Sequence, residues 1–181
     1  MSRLFSERGY YVIDADVLAR KAVEPGTETL LKLVNHFGKS ILRGDGSLDR
    51  AALANIAFAK EESTAELNAI VHPAVIRLLN EELAAAKERG ETVIVLDVPL
   101  LFQTGLEMLC DRTVAVTARP EIRCKRICLR DSLSEEQARM RMNAQPADIY
   151  YTQRATDVLV NDGDTAVLEE AVAELSRRIG R

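Results

Sequence analysis

Apolar and polar positions along the chain alternate between two periods, and the alternation lays out the elements. Leu4 and Phe5 stand among charged Arg3 and Glu7, which reads as the end of an amphipathic helix closed by Gly9. Tyr11-Val12-Ile13 is bulky and β-prone, a short strand that runs into two carboxylates, Asp14 and Asp16. If strand geometry persists to Asp16, period-two alternation points both acids to one side. The competing reading makes Asp16 the N-cap of the helix that continues through Val17, Leu18, Ala19 and Arg20. Spacing alone leaves both open.

Glu24-Pro25-Gly26 breaks that helix, and from 26 to 90 the apolar spacing is helical. Thr27 caps a helix with Leu30, Leu31, Leu33, Val34 and Phe37 on its apolar face that Gly38 closes, and Asp49 opens another through Leu53, Ile56 and Phe58. Thr64 starts a third, expected to stop at His72-Pro73, with Pro73 in the first turn of a fourth over 74–89. Strand-like runs return at 92–98, 112–117 and 157–160. The first of these is continuously apolar, as in a strand covered on both faces. Helices open at Pro120 and at Ser134, where Ser134-Glu135-Glu136-Gln137 resembles a capping box, and a last helix carries Val167, Leu168, Val172, Leu175 and Ile179. Strands alternating with helices predict an α/β chain: a parallel sheet with helices on both faces and a helical insertion at 26–90.

Composition narrows the partners. Across 181 residues, 47% are hydrophobic and 29% charged, which suits one domain, or one with an inserted subdomain, around a real core. A net charge of −4 argues against nucleic acid, and no apolar run approaches the roughly 20 residues that span a bilayer. No apolar leader opens the chain, so a cytoplasmic location is expected. Cys110, Cys124 and Cys128 form neither a disulfide framework nor, with His36 and His72 elsewhere, a zinc set.

Three strand ends carry polar or small residues: Asp14/Asp16, Asp97 with Pro99, and Asn161/Gly163, the arrangement of ligand sites in α/β sheets. Asp97 follows Val-Ile-Val-Leu, as does an acid that holds magnesium directly or through water; the plainer reading is a strand-end cap. Arg119, Arg123, Lys125, Arg126, Arg130, Arg139 and Arg141 crowd one helical hairpin. Arginine forks match phosphate oxygens, so this hairpin suits a lid over a nucleotide; the alternative is a solvated surface balanced by Asp131, Glu135 and Glu136. Gly38-Lys39-Ser40 mimics the end of a phosphate-binding loop, but it follows a helix and Leu33 stands where the first glycine is needed.

Several motifs occur together: Val12-Ile13-Asp14-Ala15-Asp16 with Ala19-Arg20, His36-Phe37-Gly38, Asp45-Gly46-Ser47-Leu48-Asp49-Arg50, and Leu67-Asn68-Ala69-Ile70-Val71-His72-Pro73. Val98-Pro99-Leu100-Leu101-Phe102 and the lid pattern Lys125-Arg126, Arg130-Asp131, Leu133-Ser134, Arg141 and Gln145 complete them, with a looser match over Asp157 to Gly163. In this combination the chain resembles the dephospho-coenzyme A kinase family, from about Ser2 to the C-terminus. The resemblance implies a P-loop kinase fold, with a nucleotide-kinase core at 1–25 and 91–181, a lid at about 119–154, and a coenzyme-A-binding insertion at 26–90.

For the site, the resemblance implies that Asp16 takes the proton from the ribose 3′-hydroxyl of dephospho-CoA. Arg20, His72, Pro99, Leu100 and Leu101 would line the acceptor site. Arg126, Arg130 and Arg141 would meet the phosphates, and Asn161 and Gly163 would lie near the adenine of ATP, with Mg2+ as the metal. Gln103 departs from the glutamate usual in the family. The family also opens with a strand and a glycine-rich loop, and Ser2 to Phe5 align inside the helix after that loop. The chain is therefore expected to lack the first strand, the phosphate cradle and its lysine, and to be impaired in catalysis. Two other readings are a degenerate protein that binds coenzyme A or nucleotide without turnover, and a kinase for another small hydroxylated acceptor.

Overall fold

The structure is a computed structural model and describes residues 1–163 and 165–179. The chain divides into two compact units, Ser2–Pro99 and the remainder from Leu100 on.

In the first unit, α1 (Ser2–Ser6) buries Leu4 and Phe5, and Gly9, at φ 79°, turns the chain into β1 (Tyr11–Asp14). β1 pairs in parallel with β2 (Ile94–Asp97), setting Tyr11 opposite Ile94 and Asp14 opposite Asp97. Strand geometry stops at Asp14, so the extended path to Asp16 is not taken. Asp14 itself caps α2 (Ala15–Lys21), its Oδ1 accepting from the N–H groups of Asp16 at 2.8 Å and Val17 at 3.2 Å. Two helix N–H donors without partners thereby find one, which favours turning at the first acid over extending to the second. β2 is half-buried and Asp97 exposed, so the strand is less covered than its apolar run suggests.

Helices fill the rest of this unit. Thr27 caps α3 (Glu28–Phe37) by accepting from the Leu30 N–H, and Asp49 caps α4 (Arg50–Ala57) by accepting from Ala51 and Ala52. The break expected at Pro73 does not occur: α5 runs unbroken over Glu61–Glu88. Thr64 is not its cap either; its hydroxyl donates to the carbonyls of Ala57 and Lys60. Proline removes one hydrogen bond and crowds the carbonyl four residues back, a cost of about 3 kcal/mol. Leu67, Ile70 and Val71 before it and Ala74, Val75 and Leu78 after it all pack on one core of Leu30, Leu33, Ile41, Leu48 and Leu53. Fully burying such a side chain stabilises by about 1.5–3 kcal/mol, so several contacts on both sides outweigh one kink.

In the second unit, β3 (Val114–Thr117) pairs in parallel with β4 (Asp157–Val160). Buried Asp157 is paired with Arg112 at 2.8 Å and Arg178 at 2.9 Å, so its charge is compensated twice. α6 (Pro120–Asp131) leads through Ser132 to α7 (Glu135–Asn143), whose capping box is present as read from the sequence: Ser134 Oγ accepts from Gln137 N, and Gln137 Oε1 from Ser134 N. α8 (Asp148–Thr152) was not foreseen; five residues without a side-chain cap leave little local signal, and Arg123 holds Asp148 at 2.6 Å. α9 (Thr165–Arg178) buries Leu168, Val172 and Leu175. Among the described residues the four strands pair in parallel, as expected for an α/β chain, in two two-stranded ladders.

Candidate functional site

The residues singled out from the sequence fall in both units, and each unit places its own. In the first, the turn at Asp14 puts Asp16 in the first turn of α2, where it is exposed. Arg20, four residues on, shares its helix face and is also exposed. His72 lies in mid-helix on α5, half-buried. The side chains of Asp16, Arg20 and His72 engage no partner among the described residues. Asp97 stands across from Asp14 at the strand ends, and its carboxylate accepts from the Ser2 hydroxyl.

In the second unit, Leu100 and Leu101 form a tight turn: Thr104 donates its N–H and hydroxyl to the Leu100 carbonyl, at 3.0 and 2.8 Å. Phe102 is buried there, 6.3 Å centroid to centroid from Tyr151, and Gln103 Nε2 donates to the Tyr151 hydroxyl at 3.0 Å. Gln103, where the resemblance leads one to expect glutamate, thus makes a neutral hydrogen bond.

The hairpin's arginines are all engaged. Arg130 forks onto Asp131, Nε to Oδ1 at 2.7 Å and Nη2 to Oδ2 at 2.9 Å, and Arg141 Nη1 shares Oδ2 at 2.7 Å. One carboxylate thus brings together two arginines from different helices. The hydrogen bonds from Arg130, with the two guanidinium charges, hold the Asp131 carboxyl below the usual carboxylate range, and Asp131 in turn raises Arg130. Arg139 is held by Glu135 at 2.7 Å and Arg123 by Asp148. Arg126 donates to the carbonyls of Asn161 and Gly163, which joins it to the strand-end turn. Lys125 alone of the seven basic residues has no side-chain partner among the described residues. The sequence offered Asp131 as a balancing charge and as part of the lid pattern beside Arg130, but its reach to Arg141 was not legible.

The thiols offer no nucleophile. Cys124 is buried with Sγ 3.9 Å from the Glu135 carbonyl, and burial pushes Cys110 and Cys128 up from the ordinary thiol range. Among the described residues, no three His, Cys, Asp or Glu side chains cluster to hold a metal ion, and no helix is long and apolar enough to cross a membrane. Magnesium, however, is often held by one or two carboxylates plus substrate phosphates, and Asp97 is a hard oxygen donor of that kind.

The sequence model of one family, dephospho-CoA kinase, matches residues 1–167. The chain belongs to the dephospho-CoA kinase family. A dephospho-CoA kinase of Corynebacterium diphtheriae is 40% identical over 178 residues, covering 98% of this chain and 89% of that protein. One from Bacillus cereus is 39% identical over 163 residues, covering 90% and 82%. The dephospho-CoA kinase of Mycobacterium tuberculosis is 46% identical over 148 residues, but these are only 36% of that longer protein. Among solved structures, one from Thermus thermophilus superposes with a TM-score of 0.82 at 35% identity, covering 99% of this chain and 90% of that one. A dephospho-CoA kinase from Campylobacter jejuni, at 23% identity and TM-score 0.73 over 98% and 88%, shares the fold. The family fold is of the P-loop kinase type, in agreement with the parallel pairings and the surrounding helices.

Proposed function

We propose that this chain transfers the γ-phosphoryl group of ATP to the ribose 3′-hydroxyl of dephospho-CoA, giving coenzyme A. The observation that carries the reading is Asp16: an exposed carboxylate just past a strand end, in a chain of this family, with no partner among the described residues. A carboxylate so placed accepts the hydroxyl proton as the oxygen attacks, and phosphoryl transfer asks little more of a protein than positioning and charge stabilisation. Arg20, His72, Pro99, Leu100 and Leu101 line the acceptor side, and the helices of 26–90 hold the coenzyme A portion. Arg130 and Arg141, already paired on Asp131, supply two guanidinium groups for phosphate oxygens. Asn161 and Gly163 lie beside the adenine. Asp97 would hold magnesium, which when bound neutralises charge on the triphosphate. Free cysteines suit the reducing cytoplasm that this reaction implies.

The test is ATP consumption with dephospho-CoA as sole acceptor. It uses the chain as it stands and a fusion carrying a relative's first strand and glycine-rich loop ahead of Ser2. Turnover in at least the fusion is expected, and Asp16→Asn should lower kcat by about 100-fold or more. Binding of both substrates without turnover in either form would favour a degenerate binder instead. Turnover only with other hydroxylated acceptors would change the substrate.

A further inference from the structure

Arg126, expected from the resemblance to meet the phosphates, is committed elsewhere in the structure. One terminal nitrogen donates to the Asn161 carbonyl at 2.8 Å; the other donates to the Gly163 carbonyl at 3.1 Å and reaches Asn161 Oδ1 at 3.4 Å. Arg119, at the N-cap of the same helix, holds the residue between. Its backbone N–H donates to Asp162 Oδ1 at 2.6 Å, and its Nε lies 3.0 Å from Asp162 Oδ2. On the far side of the turn a Cβ at Gly163 would come 3.1 Å from Val167 Cγ2, so only glycine fits without something shifting. The three residues after β4 are thus fastened by α6 and closely backed by α9.

Each terminal nitrogen of the Arg126 guanidinium donates to a backbone carbonyl of the turn. A phosphate bound through both terminal nitrogens would have to compete with these bonds. We propose that Arg126 is a positioning residue: it fixes the Asn161–Gly163 turn that receives the adenine, while Arg130 and Arg141 meet the phosphates. The inference rests on the kinase reading above and adds to it how the base is positioned.

The test separates base from phosphate. Calorimetry on the full chain, or on the fusion where that is the form that turns over, measures adenosine, which has no phosphate, and tripolyphosphate, which has no base. Arg126→Ala should weaken adenosine by about 10-fold, the scale of lost charge-assisted hydrogen bonds, and leave tripolyphosphate within about 2-fold. Arg126→Lys keeps the charge but offers one nitrogen where the guanidinium presents two in a fixed plane, so it should weaken adenosine as well. In turnover, KM for ATP should rise about 10-fold with kcat within about 3-fold. Retained dephospho-CoA binding and an unchanged melting temperature certify the fold; if the alanine variant does not fold, the lysine variant carries the comparison. Weakened tripolyphosphate binding, or a kcat that falls 100-fold at constant KM, would overturn the inference alone. A wild type that binds neither probe and consumes no ATP would overturn the kinase reading and this inference with it.

Discussion

In the unit Ser2–Pro99, Asp16, Arg20 and His72 carry side chains that no described residue engages, whereas in the unit from Leu100 on the hairpin's six arginines are each held by an acid or a carbonyl. The difference bears on what a ligand gains. A hydroxyl that meets Asp16 replaces only water. A phosphate that meets Arg130 and Arg141 must compete with Asp131, so its net gain is the difference between two charge-assisted sets of hydrogen bonds. In return, the two guanidinium groups are held close before any ligand arrives, which removes part of the ordering cost of binding. Free groups suit the base proposed at Asp16; paired ones relieve the repulsion that a hairpin of six arginines would otherwise carry.

The sharpest way to break this contrast is Arg130→Ala, expected to lower kcat by about 1,000-fold, as for other arginines on a transferring phosphoryl group. Steady-state rates with saturating ATP measure it, and a loss confined to KM would assign Arg130 to ground-state binding. Asp131→Asn is the next test. Removing the competing anion should tighten tripolyphosphate binding, while loss of the shared anchor lowers kcat by about 10-fold. If binding weakens instead, Asp131 is no competitor.

The pairing also sets a pH signature. Because Arg130 holds the Asp131 carboxyl below its ordinary value of 3.8, the link contributes to stability above that pH, and the contribution is lost only as pH falls through the lower, folded value. The Asp131 carboxyl signal followed by NMR should therefore show its midpoint below 3.8; a midpoint at or above that value would mean the pairing does not hold in solution. The smallest effect is expected at the exposed Arg139–Glu135 pair, one helical turn apart on α7. Arg139→Ala should leave both the melting temperature and turnover within the scatter of repeat measurements. A clear loss of turnover there would move Arg139 into the phosphate-binding set.

Much of the framework was legible because it is local. Thr27, Asp49 and the Ser134–Gln137 box cap the helices they were expected to cap, since a side chain three residues from an unpaired N–H needs no help from the rest of the fold. The strands at 94–97, 114–117 and 157–160 lie inside their predicted runs for the same reason. Pro73 was misjudged because its local cost is real, yet the apolar series 67, 70, 71, 74, 75, 78 continues across it at helical spacing and packs on one core. Asp14 took the capping role offered to Asp16, a choice between two acids that spacing could not settle.

By itself, then, the sequence determined the strands, most of the helices, the caps at Thr27, Asp49 and Ser134, the parallel α/β class and, through its motifs, the family. Only the tertiary structure decided which acid answers which arginine, that the Asp131 carboxylate serves both Arg130 and Arg141, and that Arg126 turns to the backbone of 161–163. Periodicity and capping are settled within one or two turns of chain, whereas the partner of a long charged side chain depends on which elements fold beside it.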